Sequence, residues 1–271
     1  MMMIAEVLEI IYKRMPAPRD KAVDRLLVGE VSRAVTGVLS AATVTHAVID
    51  EAILRRANLI LTYDPIFYGE EVDLAGRGGE HGDVRSVASR KLERLNDAGI
   101  AVFRFCEAWR AHEPDGILAG TLKHLGFARY WERRRGPVIE LPPRTVRELT
   151  DHLKARLDIP SVRLCGDLEA ICARIGFLLG NNAGDEQLEM LASGEIDVLV
   201  VGETVEWQVC EYIRDRNAYV HPDTPPVHLI VVGRLASVTL GMRYIVDWLT
   251  PKIPGVPVSY APIALPYSYV L

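Results

Sequence analysis

Tyr63 and Asp64 end the apolar run Leu59-Ile60-Leu61-Thr62 and are followed at once by Pro65. A phenol and a carboxylate in that position could bind a ligand or move a proton. α/β proteins place such groups just beyond the carboxyl ends of buried parallel strands. No Gly-rich phosphate signature accompanies them. Elsewhere Glu203 and Glu206 follow Gly202 at a helix start and could act as acid or base, although the helix dipole alone favours carboxylates there. Gly180-Asn181-Asn182-Ala183-Gly184 could offer backbone N–H groups to an anion, but it lacks a P-loop Lys-Ser/Thr and reads better as a turn. His81, His112, His124 and His221 form no His-x-x-x-His pair, so the expectation is surface or capping roles rather than metal ligation. Cys106 has no motif-placed histidine to activate it and reads as a buried thiol.

The elements that must position these groups alternate between short β runs and helical periods along the whole chain, which predicts an α/β fold. Helix Ile4–Tyr12 precedes Pro16-Ala17-Pro18. A β-α-β unit follows, with strand Val35–Leu39, helix Val44–Arg56 and strand Asn58–Leu61, which puts Tyr63 and Asp64 on the lip of its second strand. Asp73–Asp83, with Gly76, Gly78, Gly79 and Gly82, reads as a Gly-rich loop. Helix Val84–Ala98, strand Ile100–Phe105 and helix Asp115–Leu125 come next. The composition break at Trp131–Pro137, with Arg133-Arg134-Arg135 as a solvated linker, predicts domains of residues 1–130 and 131–271. In the second, Thr145 and Glu148 form a capping-box pair. Strands are expected at Ile171–Leu179, Ile196–Val201, Val227–Val232 and Val256–Tyr260, with helices from Asp185, from Val205 to Arg216 and from Ala236 to Leu249.

With 271 residues, 49% of them hydrophobic, the chain can build one large or two ordinary cores. A net charge of −5 argues against general nucleic-acid binding. No window approaches a membrane span. Glu6 and Glu9 in the opening helix are unlike a cationic leader, so a cytoplasmic protein is expected. Cys106, Cys165, Cys172 and Cys210 are dispersed and predict reduced thiols, with neither disulfides nor a zinc knuckle. The apolar tail Leu265–Leu271 needs cover, which suggests packing on a neighbouring subunit or in a groove.

Four blocks, in order, resemble the family of NGG-interacting-factor-three-like proteins, also known as GTP cyclohydrolase I type 2 homologues. They are Val35–Val38 with Ile60–Phe67, then Ile100–Cys106, then Asp197–Glu203, and last Val231–Gly241. The resemblance spans nearly the whole chain in the family's short form. It implies two layered α/β domains facing across a cleft, a homo-oligomer (commonly a hexamer), and a dinuclear metal centre built from His-His, Asp, His and Glu. Matched by position, those ligands fall on Tyr63 and Asp64, Arg110, Arg234 and Val238. A guanidinium is never a metal donor, so no metal cofactor is expected. The resemblance then implies a cationic cleft lined by Tyr63, Asp64, Arg104, Glu107, Arg110, Glu203 and Arg234, suited to a small phosphate or carboxylate ligand. An internal Asp64–Arg salt bridge is the structural alternative. Competing readings are a metal-dependent hydrolase of the GTP cyclohydrolase I type 2 kind with substitute ligands, and an oligomeric scaffold.

Overall fold

The computed structural model describes residues 1–15, 23–68, 82–219, 221 and 224–268, with side chains of residues 82–85 excluded. The chain forms two compact units. The first comprises Met1–Gly116 and Met242–Ala264, and the second comprises Ile117–Gly241 and Leu265–Leu271. A single division at residue 130 does not describe this arrangement, because the segment from Met242 returns to the first unit.

In the first unit, β1 (Leu26–Val28), β2 (Val38–Ala41), β3 (Leu59–Thr62), β4 (Ala101–Arg104) and β10 (Val258–Tyr260) form one sheet in the order β1-β4-β3-β2-β10. β10, β2, β3 and β4 run parallel and β1 is antiparallel at the edge. Every residue of β2 and β3 is buried, as continuous apolar runs in parallel sheets require. Helices α1 (Ile4–Tyr12), α2 (His46–Leu54), α3 (Gly82–Asp97) and the short α4 (Glu107–Ala111) complete it. α2 starts where Thr45 accepts a hydrogen bond from Val48 N, the N-cap arrangement that its hydroxyl favours. α2 and α3 cover the sheet through Val48, Ile49, Ala52 and Leu95, packed with Leu39, Ile60 and Val102.

In the second unit, β5 (Val138–Thr145), β6 (Arg163–Cys165), β7 (Ile171–Leu178), β8 (Val198–Val201) and β9 (His228–Val231) form a sheet in the order β5-β7-β8-β9-β6. β7, β8 and β9 are parallel, and both edges are antiparallel. α5 (Gly116–Leu125), α6 (Val146–Leu157), α7 (Gly184–Ala192), a π-helical turn at Glu206–Cys210, α8 (Glu211–Ala218) and α9 (Arg234–Leu249) accompany it. The expected capping box opens α6: Thr145 Oγ1 accepts from Glu148 N at 3.1 Å, and Thr145 N donates to Glu148 Oε2 at 2.8 Å. The unit boundary falls within α9.

The two sheets share a plan. In each, a short strand (β1 or β6) precedes three consecutive parallel strands and pairs antiparallel with the last of them. The middle parallel strand then carries a carboxylate two residues past its end, Asp64 after Thr62 and Glu203 after Val201. The Gly-rich loop around Asp73, His81, Pro16-Ala17-Pro18 and residues 269–271 lie outside the described residues.

Candidate functional site

At the carboxyl ends of β3 and β4 the chain gathers Tyr63, Asp64, Arg104, Cys106 and Arg110. Tyr63 and Asp64 are 5% and 8% exposed. Parallel pairing extends one step past the strand: Asp64 N donates to Ala42 O at 3.0 Å, and Phe105 N donates to Thr62 O at 2.8 Å. These bonds hold the backbone of residues 62–64 between its two neighbours, so the side chains of Tyr63 and Asp64 diverge from a fixed base.

Arg110 Nη1 donates to Tyr63 Oη at 3.4 Å. The Tyr63 hydroxyl is also in hydrogen-bonding contact with the Cys106 thiol. The order is therefore guanidinium, phenol, thiol. Burial and the neighbouring Cys106 push Tyr63 above the ordinary tyrosine range, against the opposing pull of Arg110. Burial likewise pushes Cys106 up to about 12. Both groups are protonated at neutral pH. Burial works against the charge of Arg110, but Tyr63 and Asp115 outweigh it and hold the guanidinium above its usual value. Arg110 is therefore a fixed cation. Arg104 Nε donates to the Tyr63 backbone carbonyl at 3.4 Å. Glu107 is half-buried in the first turn of α4, and its carboxylate makes no ion pair among the described residues.

Three positioning residues escape sequence reasoning. Asp24, 6% exposed, accepts from the backbone N–H groups of Cys106, Glu107 and Ala108 at 2.8, 2.9 and 2.7 Å. It caps α4 from more than eighty residues away in sequence, so no local spacing announces it. Trp109, fully buried, anchors the same helix against Phe105 and Trp248, with ring centroids 5.6 and 5.2 Å away. Cap and anchor together set where Arg110 emerges. The third is Lys91. Buried on α3, it donates to Ile66 O at 2.9 Å and so ties down the segment after Asp64. Burial lowers its pKa.

In the second unit, Glu203 is exposed and Arg234 half-buried at the ends of β8 and β9. Ser237 and Gln187 shape that region. Ser237 Oγ accepts from Gly180 N at 2.9 Å and donates to Arg234 O at 2.7 Å. Gln187 Nε2 donates to Glu203 O at 3.0 Å and to Asn182 O at 3.1 Å. The Gly180–Gly184 loop thus spends Gly180 N on Ser237, in keeping with a structural turn. A Cβ at Gly202 would sit 2.3 Å from Gly180 O, so only glycine fits there.

The remaining candidates are structural. His112 sits among Trp109 and Trp248; its Nε2 accepts from Trp248 Nε1 at 3.2 Å while Nδ1 faces Pro114 O at 2.8 Å. That pairing describes a neutral ring fully occupied by protein partners. His124 Nδ1 faces Gly120 O at 2.9 Å. Glu206 pairs with Arg163 on the surface.

Among the described residues no three His, Cys, Asp or Glu side chains come together in a group able to hold a metal ion. The positions to which the resemblance assigns ligands fail individually as well. Tyr63 keeps its proton, Arg110 and Arg234 are guanidinium side chains, and Val238 is an alkyl group 0% exposed. Only Asp64 offers a donor, and this set does not fit two divalent ions.

The fold and these strand-end sites define a two-unit α/β protein whose parallel sheets carry polar groups at their carboxyl ends. Residues 2–223 match the family described as Duf34/NIF3 (NGG1p interacting factor 3), and the chain belongs to that family. It is 26% identical over 203 residues to a GTP cyclohydrolase 1 type 2 homolog of Clostridium acetobutylicum, covering 69% of this chain and 70% of that one. A protein of the same description from Clostridium perfringens is 23% identical over 223 residues, covering 78% and 81%. Among solved structures, the Staphylococcus aureus protein SA1388 superimposes with a TM-score of 0.77 at 19% identity and 99% coverage of both chains. A Bacillus cereus protein related to NIF3 gives 0.75 at 15% identity, again with 99% coverage of both. These likenesses establish the fold. No helix among the described residues is long and apolar enough to cross a membrane.

Proposed function

We propose that this chain is a Duf34/NIF3 protein without the two-metal centre implied by its family resemblance, and that it binds a small anion, phosphate or carboxylate, as a binding or regulatory protein. The observation that carries this reading is the Arg110–Tyr63 pair at the end of β3, with Arg104 bonded to the Tyr63 carbonyl. Two guanidinium groups at a parallel strand end favour an oxyanion through paired, charge-assisted donors. They would repel a divalent cation in the same place. Tyr63, protonated, adds a neutral hydroxyl. Asp64 limits the charge an incoming anion meets, which suits a small ligand. Glu203 and Arg234, at strand ends of the second unit, are candidate ligand contacts of that unit. A homo-oligomer in the cytoplasm is part of the same proposal, and the tail around the exposed Tyr267 is a candidate contact between copies.

Calorimetric titration of the intact protein with inorganic phosphate, and separately with acetate, tests it. Binding that weakens about tenfold or more in Arg110→Gln, as loss of one charged hydrogen-bonding partner predicts, supports the reading. Equal binding by wild type and Arg110→Gln, or none by either anion, would overturn it.

A further inference from the structure

A second feature lies at the opposite, amino-terminal ends of β2, β3 and β4. A groove of about 730 Å³ opens there, with Ala34, Ile53 and Ala98 as its accessible apolar lining and Arg33, Arg56 and Arg94 beside them. Its size is that of small-molecule sites. The lining holds three arginines and one acidic side chain, Asp97, a balance of +2 in a chain whose net charge is −5.

Arg56 is the informative residue. α2 and α3 both end here in the same motif. Arg56 N bonds to Ile53 O and Ala57 N to Ala52 O, while Gly99 N bonds to Asn96 O and Ile100 N to Leu95 O. Each motif needs a left-handed residue, and this position is usually glycine. α3 uses Gly99 at φ +65°, whereas α2 uses Arg56 at φ +56°. An arginine carries a steric cost there that glycine does not. Its guanidinium has no carboxylate partner among the described residues, so no ion pair offsets that cost. Arg33 shows a complementary feature. Its Nη1 lies 2.7 Å from where a Cβ on Gly99 would stand, so the guanidinium rests over that glycine. Its own nearest carboxylate, Glu30, is 3.9 Å away on the surface.

Arg94 is already engaged by His46 and Asp50. The carboxyl ends of two helices also point this way, each equivalent to roughly half a negative charge. Part of that field is spent in the capping bonds. With Arg94 paired to Asp50, Arg33 and Arg56 stand against Asp97, and this balance of +1 suits one negative charge and not two. Ile53 is half exposed in the lining, next to the partly exposed Ala34 and Ala98.

We propose that this groove binds an amphipathic monoanion: a carboxylate with an aliphatic or aromatic body, its head held by Arg33 and Arg56 and its body on Ile53, Ala34 and Ala98. The site is separate from the strand-end site above and does not depend on it.

The test is calorimetric titration of the intact chain carrying Arg110→Gln, which weakens anion binding at the strand-end site, with octanoate, and with acetate and octanol as controls lacking the body and the charge. Octanoate binding at least about tenfold tighter than either control is expected, because head and body both contribute. Arg56→Gly separates this role from folding. Removing the left-handed arginine should leave the unfolding temperature equal or a few degrees higher while octanoate binding falls about tenfold or more. Arg33→Gln should weaken binding similarly. Acetate binding as tightly as octanoate to the Arg110→Gln protein, octanoate failing to bind it at millimolar concentration, or octanoate binding undiminished by Arg56→Gly would each overturn the proposal. So would a change of oligomeric state in Arg56→Gly without any octanoate binding, which would make the groove an interface between copies.

Discussion

Replacing Asp24 with alanine should weaken the proposed anion site without touching any residue that lines it. The carboxylate accepts three backbone N–H groups at 2.7–2.9 Å, and two of them, on Cys106 and Ala108, belong to buried residues. A buried donor left without a partner costs about 1–3 kcal/mol. Glu107 is half-buried, so its N–H recovers much of its loss from water. Two orphaned donors at about 1.5 kcal/mol each give roughly 3 kcal/mol for Asp24→Ala. Asp24→Asn keeps one carbonyl oxygen, which can still serve Cys106 and Glu107, but turns an amide N–H₂ toward Ala108; about half the loss is expected. Urea unfolding followed by fluorescence reads this directly, since Trp109 is buried beside the capped helix. With a slope of about 2 kcal/mol/M, the midpoint should fall by roughly 1.5 M in Asp24→Ala. Phosphate affinity should fall in Asp24→Asn as well, because α4 no longer holds Arg110 against Tyr63. An Asp24→Ala midpoint indistinguishable from wild type would refute the capping argument.

Other consequences are equally measurable. Asp197 accepts from Ala173 N and Arg174 N at 2.9 Å and pairs with the Arg174 guanidinium; burial raises its pKa, but Arg174 outweighs this and the net shift is downward. A depressed carboxylate contributes stability above its unfolded value near 4 and loses it as pH falls, so acid unfolding of wild type should be steeper below that pH than in Asp197→Asn. His228 is buried, and burial lowers its pKa. Its neutral form is favoured in the fold, so stability should drop as pH falls below about 6.5, a component missing from the unfolding profile of His228→Gln. Gly202→Ala would drive a Cβ to 2.3 Å from Gly180 O and 2.6 Å from Ser237 Oγ, and thermal unfolding should register a loss of about 1–3 kcal/mol. Thr145→Ala removes the capping box of α6 and should cost about 1 kcal/mol in the same assay.

The long regular elements were legible in the sequence because their periodicity is strong. Helix Ile4–Tyr12 and the Thr145 cap match residue for residue, and Tyr63 and Asp64 follow a buried parallel strand as the apolar run implies. What escaped reading has a common cause. β1 and β6 are three-residue edge strands, too short for a pattern to register. The helix expected from Val205 to Arg216 begins as a π-turn at Glu206–Cys210, which exposes Trp207 and is invisible to a 3.6-residue period. The pairing of β10 with β2 joins residues more than two hundred positions apart, which no composition break can signal. Asp24 is the same case at the site: its identity is ordinary, and only the tertiary cap gives it meaning.

Guanidinium groups, on Arg110 and Arg234, stand at positions to which the family resemblance assigns metal ligands. Elemental analysis of protein purified without chelators, followed by dialysis against zinc and manganese, tests it most directly. The predicted result is far less than one equivalent of divalent metal per chain, with Arg110→His alone failing to restore two, because Arg234 and Val238 still provide no donors. Two equivalents bound tightly by the wild-type chain, with one lost in Asp64→Asn, would contradict it.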